Sequence, residues 1–282
     1  AVTNGPGLMP ALLVGLNFAR GLAAANNIPL IGVNHFLAHI YGAFLDCGVE
    51  ELQREDIYPM MSAVISGGHT SLVKITADGN AEVIGTTIDD AVGEAFDKAA
   101  KLMNLGYPGG PILERLSKDG DHKKYNFPRS LTGAGGRKVL PENRFNFSFS
   151  GLKTALLYHS DKLGGGATLE GDLLSDSIAS YQEAIVDVLT RKTMDAAKHF
   201  GAKSIVVSGG VACNGVLRQR YDDLFSDEYK VYLAPRKYCT DNAAMVAGIG
   251  YHYHAKGISS PLDVEAYARL PQLSQVPFCR GS

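Results

Sequence analysis

Met61-Ser-Ala-Val-Ile-Ser-Gly-Gly-His-Thr70 carries an apolar strand straight into a Ser-Gly-Gly turn, and Ser204-Ile-Val-Val-Ser-Gly-Gly-Val-Ala-Cys-Asn214 repeats the pattern in the second half of the chain. Residues without a Cβ leave backbone N–H groups uncovered, which is how a chain approaches a phosphate or a nucleoside closely. A tight strand exit accounts for either turn alone. Their repetition on separate halves points to an α/β protein with two related lobes and a nucleotide between them. The expected division puts residues 1–106 in a first lobe and 107–282 in a second.

Downstream of the first turn, Ser71-Leu-Val-Lys-Ile75 and Ala81-Glu-Val-Ile-Gly85 suit a hairpin around Asp78-Gly79. An amphipathic helix is expected from Thr87 or Asp89, with Val92, Ala95, Phe96, Ala99, Leu102 and Met103 on its apolar stripe and Gly106 as its stop. Asp90, Glu94, Asp97 and Lys101 fall on the other face, where solvated charge is the default. Tyr107-Pro-Gly-Gly-Pro111 then supplies another turn open to a ligand. Phe145 to Lys153 alternates aromatic and polar residues into a turn, and a long helix from about Leu173 to Phe200 leads into the second Ser-Gly-Gly strand.

Upstream, residues 1 to 7 read as a strand end entering a glycine turn, followed by a helix from Met9 to about Asn26. Ile28-Pro-Leu-Ile-Gly-Val33 is a short strand that delivers His35 and His39 to one helical face, where two imidazoles at i and i+4 can grip one metal ion. Two histidines lining a helix is the competing explanation. Asp241, in Tyr238-Cys-Thr-Asp-Asn242 before a small-residue helix, offers a third ligand. Two imidazoles and one carboxylate suit zinc or ferrous iron and leave positions open. Phe36 occupies the place where a helical zinc protease carries its glutamate base, so peptide hydrolysis by that route is not expected.

Composition bounds the rest. A chain of 282 residues, 45% hydrophobic and 20% charged, buries a sizeable core in two lobes. Net charge of −2 gives no global attraction to nucleic acid, so such a partner needs a local patch. The segment 122–144 is one: Lys123, Lys124, Arg129, Arg137, Lys138 and Arg144 surround Tyr125, Phe127 and Gly133-Ala-Gly-Gly136, and only Glu142 opposes them within it. A solvated loop is the plain alternative. Cys47, Cys213, Cys239 and Cys279 form no CxxC pair, which fits a reducing cytoplasm. No stretch has the length and apolarity of a membrane span, and no membrane partner is expected.

Taken in order, His35-Phe-Leu-Ala-His39, Ser66-Gly-Gly-His-Thr70, Asp89-Asp-Ala-Val-Gly-Glu-Ala-Phe-Asp-Lys98, Tyr107-Pro-Gly-Gly-Pro111, Phe147-Ser-Phe-Ser-Gly-Leu-Lys153, Ser208-Gly-Gly-Val-Ala-Cys-Asn214 and Cys239-Thr-Asp-Asn242 resemble the universal tRNA threonylcarbamoyladenosine transferase family of the TsaD type, once mislabelled O-sialoglycoprotein endopeptidase. The likeness covers nearly the whole chain and is nearest to the bacterial branch. It implies an actin-like, sugar-kinase-like ATPase fold. It also implies transfer of threonylcarbamoyl from threonylcarbamoyl-AMP to the exocyclic amine of the adenosine beside the anticodon of tRNA, with ATP and AMP as nucleotide ligands.

Position by position, His35, His39 and Asp241 match the ligands of one divalent iron or zinc ion. Val64, Ile65, Ser66, Gly67, Gly68, Asp97, Gly110 and Asn214 match the adenylate-binding groups, and Glu114 stands where many relatives have a carboxylate near the ribose. No nucleophilic side chain is required and no general base is identified. Implied partners are tRNA, a TsaB-like paralogue and a small TsaE-like ATPase, with a homodimer compatible. Relatives open with a strand carrying Gly-Ile-Glu-Thr-Ser-Cys-Asp-Glu-Thr, absent here, so the expected first lobe lacks its leading strands and the chain alone is expected to bind adenylate weakly. A kinase-like ATPase and an inactive nucleotide-binding scaffold are the alternative functions.

Overall fold

Met60 to Ile65 is buried at every position, as a strand covered on both faces must be, and the sheet is built outward from it. In the computed structural model, which describes all residues except 137, 165–168, 270–272, 274 and 280–282, this strand is β3. It follows β1 (Val2–Gly5), α1 (Met9–Asn26), β2 (Gly32–Asn34), α2 (His35–Gly42) and the short α3 (Val49–Leu52). After it come β4 (Thr70–Ile75), β5 (Ala81–Thr86), α4 (Val92–Leu102), α5 (Gly109–Leu116), α6 (Ser150–Lys162), α7 (Gly171–Phe200), β6 (Ser204–Ser208), α8 (Gly215–Phe225), β7 (Lys230–Leu233), α9 (Arg236–Cys239) and α10 (Ala243–Ala255).

The sheet order is β5-β4-β3-β6-β7, while β1 and β2 pair as a separate parallel ribbon. β4 and β5 form the expected hairpin, antiparallel like β3 and β4, with the reversal at Asp78-Gly79 closed by the Gly79 amide donating to the Thr76 carbonyl. β6 lies parallel to β3, with Val64 opposite Ser208. Consequently both Ser-Gly-Gly turns leave the same end of neighbouring parallel strands. The sheet crosses residue 106, joining β3, β4 and β5 before it to β6 and β7 after it. Linear repetition cannot distinguish two sheets from two adjacent strands of one sheet.

Helices cover the sheet. The 30 residues of α7 span about 45 Å at 1.5 Å per residue, long enough to meet several elements. Tyr181 donates to the Ala95 carbonyl of α4 at 3.0 Å, and Thr193 bonds the Tyr221 hydroxyl of α8 at 2.8 Å. α4 starts at Val92 rather than at Thr87 or Asp89, because both residues are already engaged. Thr87 pairs with Phe147 and donates to the Asp90 carbonyl, while Asp89 accepts from the Ser148 and Ser150 hydroxyls and the Phe149 and Ser150 amides. Those bonds satisfy free donors at the start of α6, turning the expected aromatic turn into a helix.

Candidate functional site

Two asparagines start the two helices that meet at the candidate metal centre. Asn34 caps α2, its Oδ1 accepting from the Leu37 amide at 3.1 Å, and Asn242 caps α10, accepting from the Met245 amide at 2.9 Å. His35 follows the first cap and Asp241 precedes the second, so both residues are held at helix N-termini. The helices pack closely because Gly248 carries no side chain: a Cβ there would lie 2.4 Å from Tyr41 Cε1. His252 also meets the Tyr41 hydroxyl, at 3.0 Å.

This packing brings His35 Nε2 to 3.1 Å and His39 Nε2 to 3.2 Å from Asp241 Oδ1. One donor atom from each residue lies within 4.8 Å of the others. For metal–ligand bonds of about 2.0–2.1 Å, adjacent ligand atoms stand about 3.0–3.4 Å apart, so the two nitrogen–oxygen separations fit a shared ion. Hydrogen bonds from His35 and then His39 hold the Asp241 carboxyl well below the usual carboxylate range, against the opposing effect of burial; the positive end of α10 favours the same charged form. His39 is 4% exposed and its Nδ1 has no hydrogen-bond partner, whereas the Asp241 side chain is 80% exposed. The ligand set is thus anchored on its inner side and open on its outer side.

The edge formed by the Ser-Gly-Gly turns adjoins it. Gly67 and Gly68 have open space where side chains would project, and the turn is held by Ser66 N donating to the His69 carbonyl at 2.7 Å and by His69 N donating to Ser66 Oγ at 3.1 Å. Gly209, with φ 92°, packs where a Cβ would lie 2.5 Å from the Ile65 carbonyl oxygen, so the second turn sits directly on the end of β3. Val64 and Ile65 are core residues; the accessible part of the quoted segment is Ser66 to Gly68.

Asp97 is not a free surface charge: its Oδ1 accepts from the Gly109 amide at 2.7 Å, fixing the turn that leaves Gly110 open. Glu114 Oε1 accepts from the Gly215 amide at 2.8 Å. Asn214 caps α8 through the Leu217 amide at 3.0 Å and donates to Gln182 at 2.8 Å, while Gln182 donates to Ser117. Asp97, Glu114 and Asn214 thereby tie α4, α5, α7 and α8 together around the ends of β3 and β6.

Sequence reading missed His69 as a neighbour of the histidine pair. Burial, then the charges of His35 and His39, lower its pKa, and its ring lies 6.1 Å from that of Phe36. Its position directly after Ser-Gly-Gly was the available signal. The basic segment needs correction as well. Arg129 meets Asp187 at 2.5 Å, Arg144 meets Asp195 at 2.8 Å and Lys124 lies 3.8 Å from Asp176, all three acids coming from α7 rather than from the segment. Lys123 and Lys138 are exposed, with no acidic partner among the described residues, and Arg137 lies outside them. A cavity of about 550 Å³ opens here, lined among others by Asn126, Phe127, Arg129, Lys138 and Ser148.

Comparison with known proteins places these features in context. The family model for TsaD, tRNA N6-adenosine threonylcarbamoyltransferase, matches residues 1–248. Curated proteins of that name from Thermosipho africanus and Syntrophotalea carbinolica are each 44% identical to this chain over 96% of its length, covering 77% and 75% of theirs. Among solved structures, HypF of T. kodakarensis aligns with a TM-score of 0.60 at 15% identity, over 87% of this chain and 40% of that one. A full-length HypF in a phosphate- and nucleotide-bound form gives 0.58 at 16%, over 81% and 43%. At such identities the likeness shows the fold, consistent with the actin-like ATPase class.

Proposed function

The chain belongs to the tRNA N6-adenosine threonylcarbamoyltransferase family, and on that premise we propose which of its groups serve the reaction. It is a transferase that modifies tRNA by threonylcarbamoylating the N6 amine of an adenosine. The donor in our reading is threonylcarbamoyl-AMP, with ATP and AMP as related ligands. The adenosine nitrogen attacks the carbamoyl carbon, the bond from that carbon to the phosphate oxygen breaks, AMP leaves, and the nitrogen gives up one proton.

The observation that carries this reading is the convergence of the His35, His39 and Asp241 donor atoms beside the open Gly67-Gly68 turn. These three residues would hold one divalent ion, iron or zinc, which when bound supplies Lewis-acid polarisation of the acyl phosphate. The remaining work falls to the chain. Backbone N–H groups of Ser66 to Gly68, with Gly110, would receive the adenylate phosphate, and Asp97, Glu114 and Asn214 hold the surrounding turns in place. No side chain is cast as nucleophile. Lys123 and Lys138 would meet the tRNA backbone, and a TsaB-like paralogue, a small TsaE-like ATPase and a homodimer remain proposed partners. A tRNA substrate suits the cytoplasm; no helix among the described residues is long and apolar enough to cross a membrane. The kinase-like and inactive-scaffold alternatives are not favoured, since the curated relatives carry the transferase name.

Replacing His39 by alanine tests the assignment. Elemental analysis should show loss of the ion, and formation of threonylcarbamoyladenosine in tRNA should fall below about one thousandth of the parent, as expected when a Lewis acid is removed. A variant that kept stoichiometric metal and normal transfer would refute the ligand set.

A further inference from the structure

Cys213 and Cys239 are far apart in sequence, yet the fold joins them between the nucleotide edge and the metal centre. Arg218 Nη1 donates to the Ala212 carbonyl at 3.1 Å and the Ala234 carbonyl at 2.8 Å, stapling the turn before α8 to the segment entering α9. Cys213 Sγ lies 3.6 Å from the Arg236 carbonyl oxygen, and Cys239 Sγ lies 3.3 Å from that of Ala234 and 3.5 Å from that of Pro235. Both sulfurs therefore lie against the carbonyls of one three-residue stretch, 234–236. Cys213 is partly exposed and Cys239 is buried, an arrangement in which one sulfur can meet a small solute and the other can resolve the product. Each also borders the site: Asn214 follows Cys213, and Asp241 lies two residues beyond Cys239.

We propose that a hydroperoxide converts Cys213 and Cys239 into a reversible disulfide, and that this bond turns transfer off by displacing Asn214 and Asp241. The displacement follows from geometry. A disulfide of about 2.05 Å is far shorter than any non-bonded contact between two sulfurs, so the turn and α9 must be drawn together. The neighbouring Cys239 thiol, with help from the Arg236 and Arg218 charges and against burial, lowers the Cys213 pKa to about 7, and the thiolate is the attacking species.

In the first step Cys213 sulfur attacks the peroxide oxygen. The O–O bond breaks, its electron pair leaves with the alkoxide, which takes up a proton, and Cys213 becomes a sulfenic acid. Cys239 sulfur then attacks Cys213 sulfur, the S–S bond forms, the S–O bond breaks, and the departing hydroxide takes the Cys239 proton as water. Two thiols are oxidised and one hydroperoxide is reduced to an alcohol and water.

The experiment treats the metal-loaded full chain with stoichiometric hydrogen peroxide and follows three readouts. Intact mass should fall by about 2 Da, the loss of two hydrogens in one disulfide. Peptide mapping should join Cys213 to Cys239. Transfer should drop at least tenfold and return on treatment with dithiothreitol. Cys213→Ser and Cys239→Ser should each keep basal transfer and resist peroxide. Oxidation mapped instead to Cys47 or Cys279, or equal inactivation of the serine variants, would overturn the proposal; a mapped disulfide with unchanged transfer would overturn its switching half. Only the transfer readout rests on the proposed function. Mass and mapping judge the disulfide independently, so the two ideas can fail separately.

Discussion

The His-His-Asp corner and the basic segment 122–144 gather their side chains in opposite ways. At the corner, residues 35 and 39 are met by residue 241, and two capped helices bring the donors within 4.8 Å. In the segment, six cations lie close in sequence, but α7 returns acids to Arg129, Arg144 and Lys124. Neighbours in sequence overstated the free charge of one region, and distance in sequence understated the cohesion of the other. Ion pairing consumes a charge that composition still counts, whereas helix packing creates a site that composition cannot display.

The corner can be broken by packing alone. Gly248→Ala places a methyl group 2.4 Å from Tyr41 Cε1 and 3.0 Å from Leu45 Cδ2, so α2 and α10 must separate. Overpacking of this kind should cost about 1–3 kcal/mol in denaturant unfolding. Metal affinity should weaken roughly 10–100-fold, the scale seen when ligand support is disturbed. If stability and metal titration both stay at parent values, the helix contact does not hold the ligands.

The segment should separate into two classes of cation. Reversing Lys123 and Lys138 together to glutamate should weaken tRNA binding and flatten the salt dependence by about 1.4–1.8 in the log–log slope, about 0.7–0.9 per phosphate contact. Arg129→Gln and Arg144→Gln should lower stability and leave that slope nearly unchanged, since their charges are already matched by Asp187 and Asp195. Identical slopes for the lysine and arginine variants would erase the distinction.

A smaller effect is expected from pH at the end of the segment, where two α7 groups with opposite signs hold Arg144. A hydrogen bond from Arg144, together with its charge, outweighs burial and keeps the Asp195 carboxyl below its ordinary value. Its stabilisation is therefore present above the unfolded pKa of about 3.9 and is lost as pH falls through the folded one. Lys192, which donates to the Asn143 and Arg144 carbonyls, is pushed down to about 8 by burial. Between that value and about 10.4 the unfolded chain binds more protons, so the Lys192 contribution makes stability rise with pH there. Unfolding midpoints should show this alkaline rise in the parent and not in Lys192→Met. An equal rise in both would detach it from Lys192.

Much of the architecture was legible in the residues. Periodicity located α1, the β3–β4–β5 meander and α7 to within a few residues, because an apolar stripe or an alternating face must be buried wherever the element goes. Chemistry nominated His35, His39 and Asp241, because ligand type and helical spacing are local properties. Resemblance nominated Asp97, which spacing had left on a solvated face and whose carboxylate turns out to fix the Gly109 turn. Other features had no local signature: α6 forms because Asp89, some sixty residues earlier, serves its free amides.

By itself, then, the sequence determined the α/β class, the element types, the candidate ligands and the family. The tertiary structure alone decided that both Ser-Gly-Gly turns share one sheet edge, that His69 stands beside the histidine pair, that α7 neutralises half of the basic segment, and that Cys213 and Cys239 lie against one stretch of carbonyls. The physical reason is the same throughout. Hydrophobic pattern and backbone propensity act over a few residues, whereas strand order, ion pairing and thiol contact depend on which distant segments the packed core brings together.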